Sequence, residues 1–153
     1  MFFLGFYDRL IVFIQRLDFV PPLVARLVIG GVFIPAGWGK LQNLEKVIGY
    51  FESLKIPLAS IQAPIAAGCE LIFGLTVLIG LFTRISSLPL IGIMTVAIAT
   101  AKKDEILSAT DLLGFSEFLY IVILIWLLIR GPGLISVDRF LLGVTGRKEA
   151  GIQ

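Results

Sequence analysis

Four long apolar runs, residues 21–41, 58–82, 85–102 and 112–130, decide most of what this chain can become. A helix needs about 20 mainly apolar residues to cross a bilayer, and each run suffices, the third barely. In hydrocarbon every backbone polar group must be satisfied within a helix or a closed barrel. The runs lack the alternation of a barrel strand. The expected fold is therefore all-α: a polytopic membrane protein, a four-transmembrane-helix bundle, forming one membrane domain over residues 1–153. Composition agrees, with 58% hydrophobic and 16% charged residues, where a soluble domain carries roughly 25% charged.

Outside the runs the sequence predicts short interfacial amphipathic helices. In residues 1–20, Phe6, Leu10, Phe13 and Leu17 share a helical face, with Asp8, Arg9 and Arg16 interspersed. No basic region precedes the apolar part, so a signal peptide is not expected, and a helix lying on the membrane surface is. Leu44, Ile48, Phe51 and Leu54 make a second stripe, and "SVDRFLLGV", in the expected cytoplasmic segment 134–153, a third. Packing of these stripes on the spanning helices is the equal alternative. A tight turn near Thr83-Arg84 joins the second and third runs. With four spans both termini share a side, which holds all seven arginines and Lys148. The other side holds Lys40, Lys46, Lys55, Lys102 and Lys103. The excess places both termini in the cytoplasm.

What is missing narrows the chemistry. The chain has no histidine and one cysteine, Cys69. That excludes an intrachain disulfide, a CxxC pair and His-dependent nucleophilic sites, and no metal site is expected. A net charge of +2 without basic clusters argues against nucleic acid. Any chemistry rests on Lys, Arg, Asp, Glu, Tyr or a borrowed cofactor, so the chain is not expected to be an enzyme on its own.

The second run, "APIAAGCELIFGLTVLIG", carries one charge, Glu70. An ionised carboxylate near the bilayer centre is costly. At about 3.6 residues per turn, Ala63, Ala66, Ala67, Gly74 and Val77 share its face, and Ile61, Ile65, Ile72, Leu75 and Ile79 lie opposite. Small residues mark the face where membrane helices approach closely, so Glu70 is expected to point inward and to need a partner. In the first run Arg26, Gly30, Phe33, Gly37 and Lys40 share one face. With Gly31 central, Arg26 lies ~8 Å to the cytoplasmic side of the midplane and Lys40 ~14 Å to the outer side. On depth, Arg26 is the expected partner of Glu70, through bidentate pairing. Glu117 matches Lys40 in depth, with Tyr120 one turn below it. Two inward polar levels are expected, and a single Lys40, Glu70, Glu117 cluster is the alternative. The competing reading is structural: buried pairs fix register, and Lys40 snorkels to the surface.

Ser136 reads as an N-cap and Asp138 as a first-turn carboxylate, with a cytoplasmic pair between Asp138 and an arginine as the alternative. Cys69 is rotated from Glu70 and reads as a small apolar residue. Trp38 and Trp126 read as interface or packing residues.

Taken in order, "RLVIGGVFIPAGWGKL", "FESLKIP", "CELIFGLTVLIGLFTR", "GIMTVAIAT", "FSEFLY" and "GPGLISVD" resemble the DoxX family of small four-helix membrane proteins, from Arg26 to Asp138. The resemblance implies a multi-pass protein of a bacterial-type inner (plasma) membrane. Arg26, Lys40, Glu70, Glu117 and Asp138 match the family's polar positions. Some members are subunits of thiosulfate:quinone oxidoreductase, and others are linked to membrane redox complexes. Related folds that act as thiol oxidoreductases carry paired cysteines, so that activity is not carried over. Three readings stay open. The first is a partner subunit of a membrane oxidoreductase complex, with a bound quinone as its implied ligand at the Glu70 level. The second is a small proton-coupled carrier using Glu70 and Glu117, which discontinuous helices would favour. The third is a structural or assembly factor. The bilayer is the expected partner, and a homo-oligomer is compatible with each reading.

Overall fold

The computed structural model is described over residues 15–106 and 108–145, together with Ile11. Phe6, Leu10 and Phe13 of the expected N-terminal stripe, and the end of the segment 134–153, lie outside the described residues. Among the described residues the secondary structure is helical, and the polytopic all-α class holds.

Helix α1 spans Val20–Gln42. It opens with Pro21 and Pro22 in its first turn, where a missing N–H costs nothing. An amphipathic α2, Leu44–Ser53, follows. Helices α3, Ala59–Ile79, and α4, Thr83–Ala101, are joined by a tight turn at 80–82, just before Thr83-Arg84, which already belong to α4. Helices α1, α3 and α4 are long and apolar enough to cross a membrane. They run through Pro35, Pro64 and Pro89 without interruption.

The fourth run departs from expectation. It is not one helix over 112–130 but a short α5, Ala109–Gly114, and a 15-residue α6, Ser116–Arg130. The Ser108/Asp111 capping box starts α5, and the extended Phe115 (φ −77°, ψ 135°) ends it after Gly114, a weak helix former. Alone, α6 is about 22 Å long, short of a ~30 Å hydrocarbon core. Helix α7, Val137–Thr145, closes the described chain.

Helices α1 and α3 run antiparallel in close contact, α4 packs mainly on α6, and the core lies between the pairs. It consists of Ile29, Phe33, Val77, Leu90, Leu124 and Leu127. The small-residue reading of α3 is realised: Ala63, Ala67, Glu70, Gly74 and Val77 are buried, while Ile61, Ile65, Ile72, Leu75 and Ile79 are exposed on the apolar outer surface. Gly37 permits the closest approach. A Cβ there would lie 2.5 Å from the Leu71 nitrogen and 2.8 Å from the Ala67 carbonyl. Both are backbone atoms, so Gly37→Ala must push α1 off α3. We expect a loss of about 1–3 kcal/mol, read by unfolding in detergent. Gly31→Ala, where nothing lies within 4 Å, should be neutral or slightly stabilising.

Candidate functional site

Two polar centres lie in the bundle, but their membership differs from the expected levels. Glu70 is 1% exposed and pairs with Lys40, not Arg26: the Lys40 ammonium donates to Glu70 Oε1 at 2.5 Å. The second oxygen, Oε2, is buried and has no hydrogen-bond partner. Arg26, also buried, donates from one guanidinium nitrogen to the carbonyls of Pro132 (2.9 Å) and Ile135 (2.6 Å).

The physical reason is register combined with side-chain direction. Gly30 faces Leu78, Gly74 faces Phe33, and Gly37 faces Ala67 and Leu71. Arg26 therefore sits beside Gly80, whose Cβ, if present, would lie 2.6 Å from a guanidinium nitrogen. Glu70 is ten residues earlier on α3, ~15 Å along the axis. Cα–Cβ bonds tilt toward a helix's own N-terminus. Lys40 thus leans back along α1 toward the level of Glu70 and Glu70 leans along α3 to meet it, whereas Arg26 leans away.

The Arg26 centre is completed by the C-terminal segment. Ser136 Oγ accepts from the Arg139 N–H at 3.2 Å, as an N-cap does. Asp138 sits in the first turn of α7 and also caps a different helix: its carboxylate accepts from the Phe82 and Thr83 N–H groups at the start of α4 (2.8 and 3.4 Å). Its own N–H donates to the Gly80 carbonyl at 3.0 Å. Phe82 has φ +47°, strained for a bulky residue, and its N–H bond to Asp138 helps to hold it there.

The Lys40–Glu70 pair borders a cavity of about 670 Å³ between α2, α3 and α4. Such a volume suits one drug-sized ligand. Its walls are mainly apolar, with Val47 and Phe51 from α2, Leu54 just after it, Ala66 from α3, and Ile93 and Ala97 from α4. Phe51 and Leu54 of the second stripe thus face a cavity, while Leu44 and Ile48 are not among its lining residues. Ile65 and Val96 line the cavity and are also exposed, so it reaches the lipid-facing surface between α3 and α4. Its polar lining includes Lys40, Glu70, Glu117, Lys46 and Lys102.

Glu117, in the first turn of α6, accepts from the Ser116 hydroxyl at 3.2 Å. Tyr120 packs edge-on against Phe33, with ring centroids 6.0 Å apart, and is not among the lining residues. Lys102 is bound by Glu105 at 3.1 Å, which holds its ammonium above the usual lysine range, and lies over the Phe115 ring. Cys69, read as a packing residue, has a free thiol and lines the cavity beside Glu70. No motif marked it. The signal for it was the apolar stripe of α2, which had to cover something on α3.

A family sequence model for DoxX matches residues 22–103. The chain belongs to the DoxX family. It is an integral membrane protein with transmembrane helices, embedded in a lipid bilayer. "Inner membrane protein YqjF" of Escherichia coli (strain K12) is 32% identical over 83% of this DoxX chain and 96% of its own length. "Putative oxidoreductase CatD" of Bacillus subtilis (strain 168) is 33% identical over 85% of the chain and 92% of its own. A membrane protein of Mycobacterium tuberculosis, Rv3486, is 34% identical over 78% of the chain and 81% of its own. No solved structure matches this DoxX chain.

Proposed function

We propose that the chain is a partner subunit of a membrane redox assembly in a bacterial-type inner membrane, and that it holds a quinone-class ligand in the cavity between α2, α3 and α4. One observation carries the reading: an apolar cavity reaching the lipid-facing surface borders an ion pair whose carboxylate is buried. A quinone partitions into hydrocarbon and needs apolar walls with one or two polar groups for its oxygens. The name of the Bacillus subtilis relative, "Putative oxidoreductase CatD", supports a redox setting. Both termini lie in the cytoplasm by the Lys/Arg excess, with α6 as the shortened fourth span. The Lys40–Glu70 pair then sits in the outer half of the membrane. Uninterrupted α1, α3 and α4 favour a binding role over a proton-coupled carrier, which would use helices broken at the midplane.

Cys69 supplies the test, because it is the chain's sole cysteine and lines the cavity. Decyl-ubiquinone, whose ring is fully substituted and resists thiol addition, should slow alkylation of Cys69 by a maleimide at least tenfold in nanodiscs. Glu70→Leu/Lys40→Met should weaken that protection. Unchanged alkylation at saturating quinone would sink the ligand reading.

A further inference from the structure

The hydrogen-bonding balance of the Glu70 site indicates which form of a ligand fits it. A carboxylate carries acceptors and no donor, and just one oxygen of Glu70 is engaged, by Lys40. The other is buried without a donor. A buried acceptor left unpaired is costly, and a ligand that supplies its missing donor recovers that cost on binding. Among the described residues no other group, Lys46 on the same lining included, donates to it. Arg26 is committed to the Pro132 and Ile135 carbonyls at the far end of the bundle, and Lys102 is bound to Glu105. Glu117, a second carboxylate on the lining, adds acceptor capacity rather than donors.

We infer that the site selects the hydroxyl-bearing, reduced form of its ligand: a hydroquinone donates an O–H to Glu70 Oε2 while accepting from the Lys40 ammonium. The inference rests on the quinone-class reading above. A quinone carbonyl can accept from Lys40, but it presents only lone pairs to Glu70 Oε2, so that oxygen stays unpaired and faces another acceptor. A site that demands a donor rejects the analogue lacking it more strongly than an apolar pocket rejects a change of size. A neutral phenolic headgroup also suits the position better than an amine, which Lys40 would repel.

The experiment compares decyl-ubiquinol, kept reduced under anaerobic conditions, with decyl-ubiquinone on the full chain in nanodiscs, reading protection of Cys69 from alkylation. The ubiquinol should reach half-protection at a concentration at least tenfold lower. The bound couple then has a midpoint raised by about 30 mV, since tenfold in binding corresponds to 29.6 mV for two electrons. Equal protection by the two forms, or tighter binding of the oxidised form, would overturn the inference while leaving the quinone reading intact. Failure of both to protect would overturn the quinone reading and this inference with it. In Glu70→Gln the carboxamide offers a donor as well as an acceptor, so the preference should fall to within about twofold. Its survival there would show that Glu70 is not the selecting group. The wild-type comparison decides the matter even where the variant folds poorly.

Discussion

Lys40→Met should destabilise the bundle by about 3–5 kcal/mol, and Glu70→Gln by only about 1 kcal/mol. The asymmetry follows from burial. Glu70 is 1% exposed, whereas the Lys40 side chain is 34% exposed. Removing the lysine strands a carboxylate that has no other donor. Removing the carboxylate's charge leaves an ammonium that can turn along its flexible stem toward the end of the bundle, as lysines near helix ends do. The double variant Lys40→Met/Glu70→Gln should therefore be close to Glu70→Gln alone, giving a coupling of about 3–5 kcal/mol in a double-mutant cycle. Arg26→Met and Glu70→Gln should be additive within about 0.5 kcal/mol, because their groups sit at different levels and share no partner. Equal losses from Lys40→Met and Glu70→Gln, or a strong Arg26–Glu70 coupling, would refute the assignment. Reversible unfolding of detergent-purified variants provides the measurement.

How far the chain could be read before folding depends on the kind of signal. The inward face of α3 was legible because small and bulky residues separate cleanly at helical period, and Glu70 lies on the small side. The inward face of α1 was legible for the same reason: Arg26, Gly30, Phe33 and Gly37 are all buried. The pairing was not legible from depth. Depth places α carbons, and a lysine or arginine carries its charge several ångströms from there, in a direction fixed by helix polarity. The register set by Gly30, Gly37 and Gly74 was also needed. The break at Phe115 was hidden because hydropathy is continuous across it, while the Ser108/Asp111 box and Gly114 act locally. The cavity was least legible of all. It arises from the placement of α2 against α3 and α4, a tertiary fact that no motif encodes.

Arg26→Met should cost about 3 kcal/mol, and its distinguishing result is loosening of the C-terminal segment rather than of the Lys40–Glu70 site. Arg26 is a clamp between three parts of the chain. Its guanidinium binds the Pro132 and Ile135 carbonyls, which belong to the link between α6 and α7. That link carries Ser136 and leads to Asp138, whose carboxylate caps α4 and whose N–H meets Gly80 at the end of α3. A hydrogen bond to a charged donor contributes about 1.5–3 kcal/mol, and the buried Pro132 carbonyl and the part-buried Ile135 carbonyl lose theirs together. Methionine fills much of the volume, so the loss reports the polar contacts rather than a void. With the clamp gone, the α6–α7 link should open, and trypsin should cut at the exposed Arg130 and Arg139 several times faster than in the wild type. Arg26→Lys should lie between, since an ammonium reaches one carbonyl more readily than it bridges two. Asp138→Ala should speed the same cleavage to a lesser degree, because it removes the cap on α4 but leaves both guanidinium contacts. Lys40→Met should leave the cleavage rate unchanged even though it lowers stability comparably, because it acts at the other polar centre. Wild-type proteolysis in Arg26→Met would show that the link is held by its apolar contacts, and that the buried guanidinium serves something other than the fold.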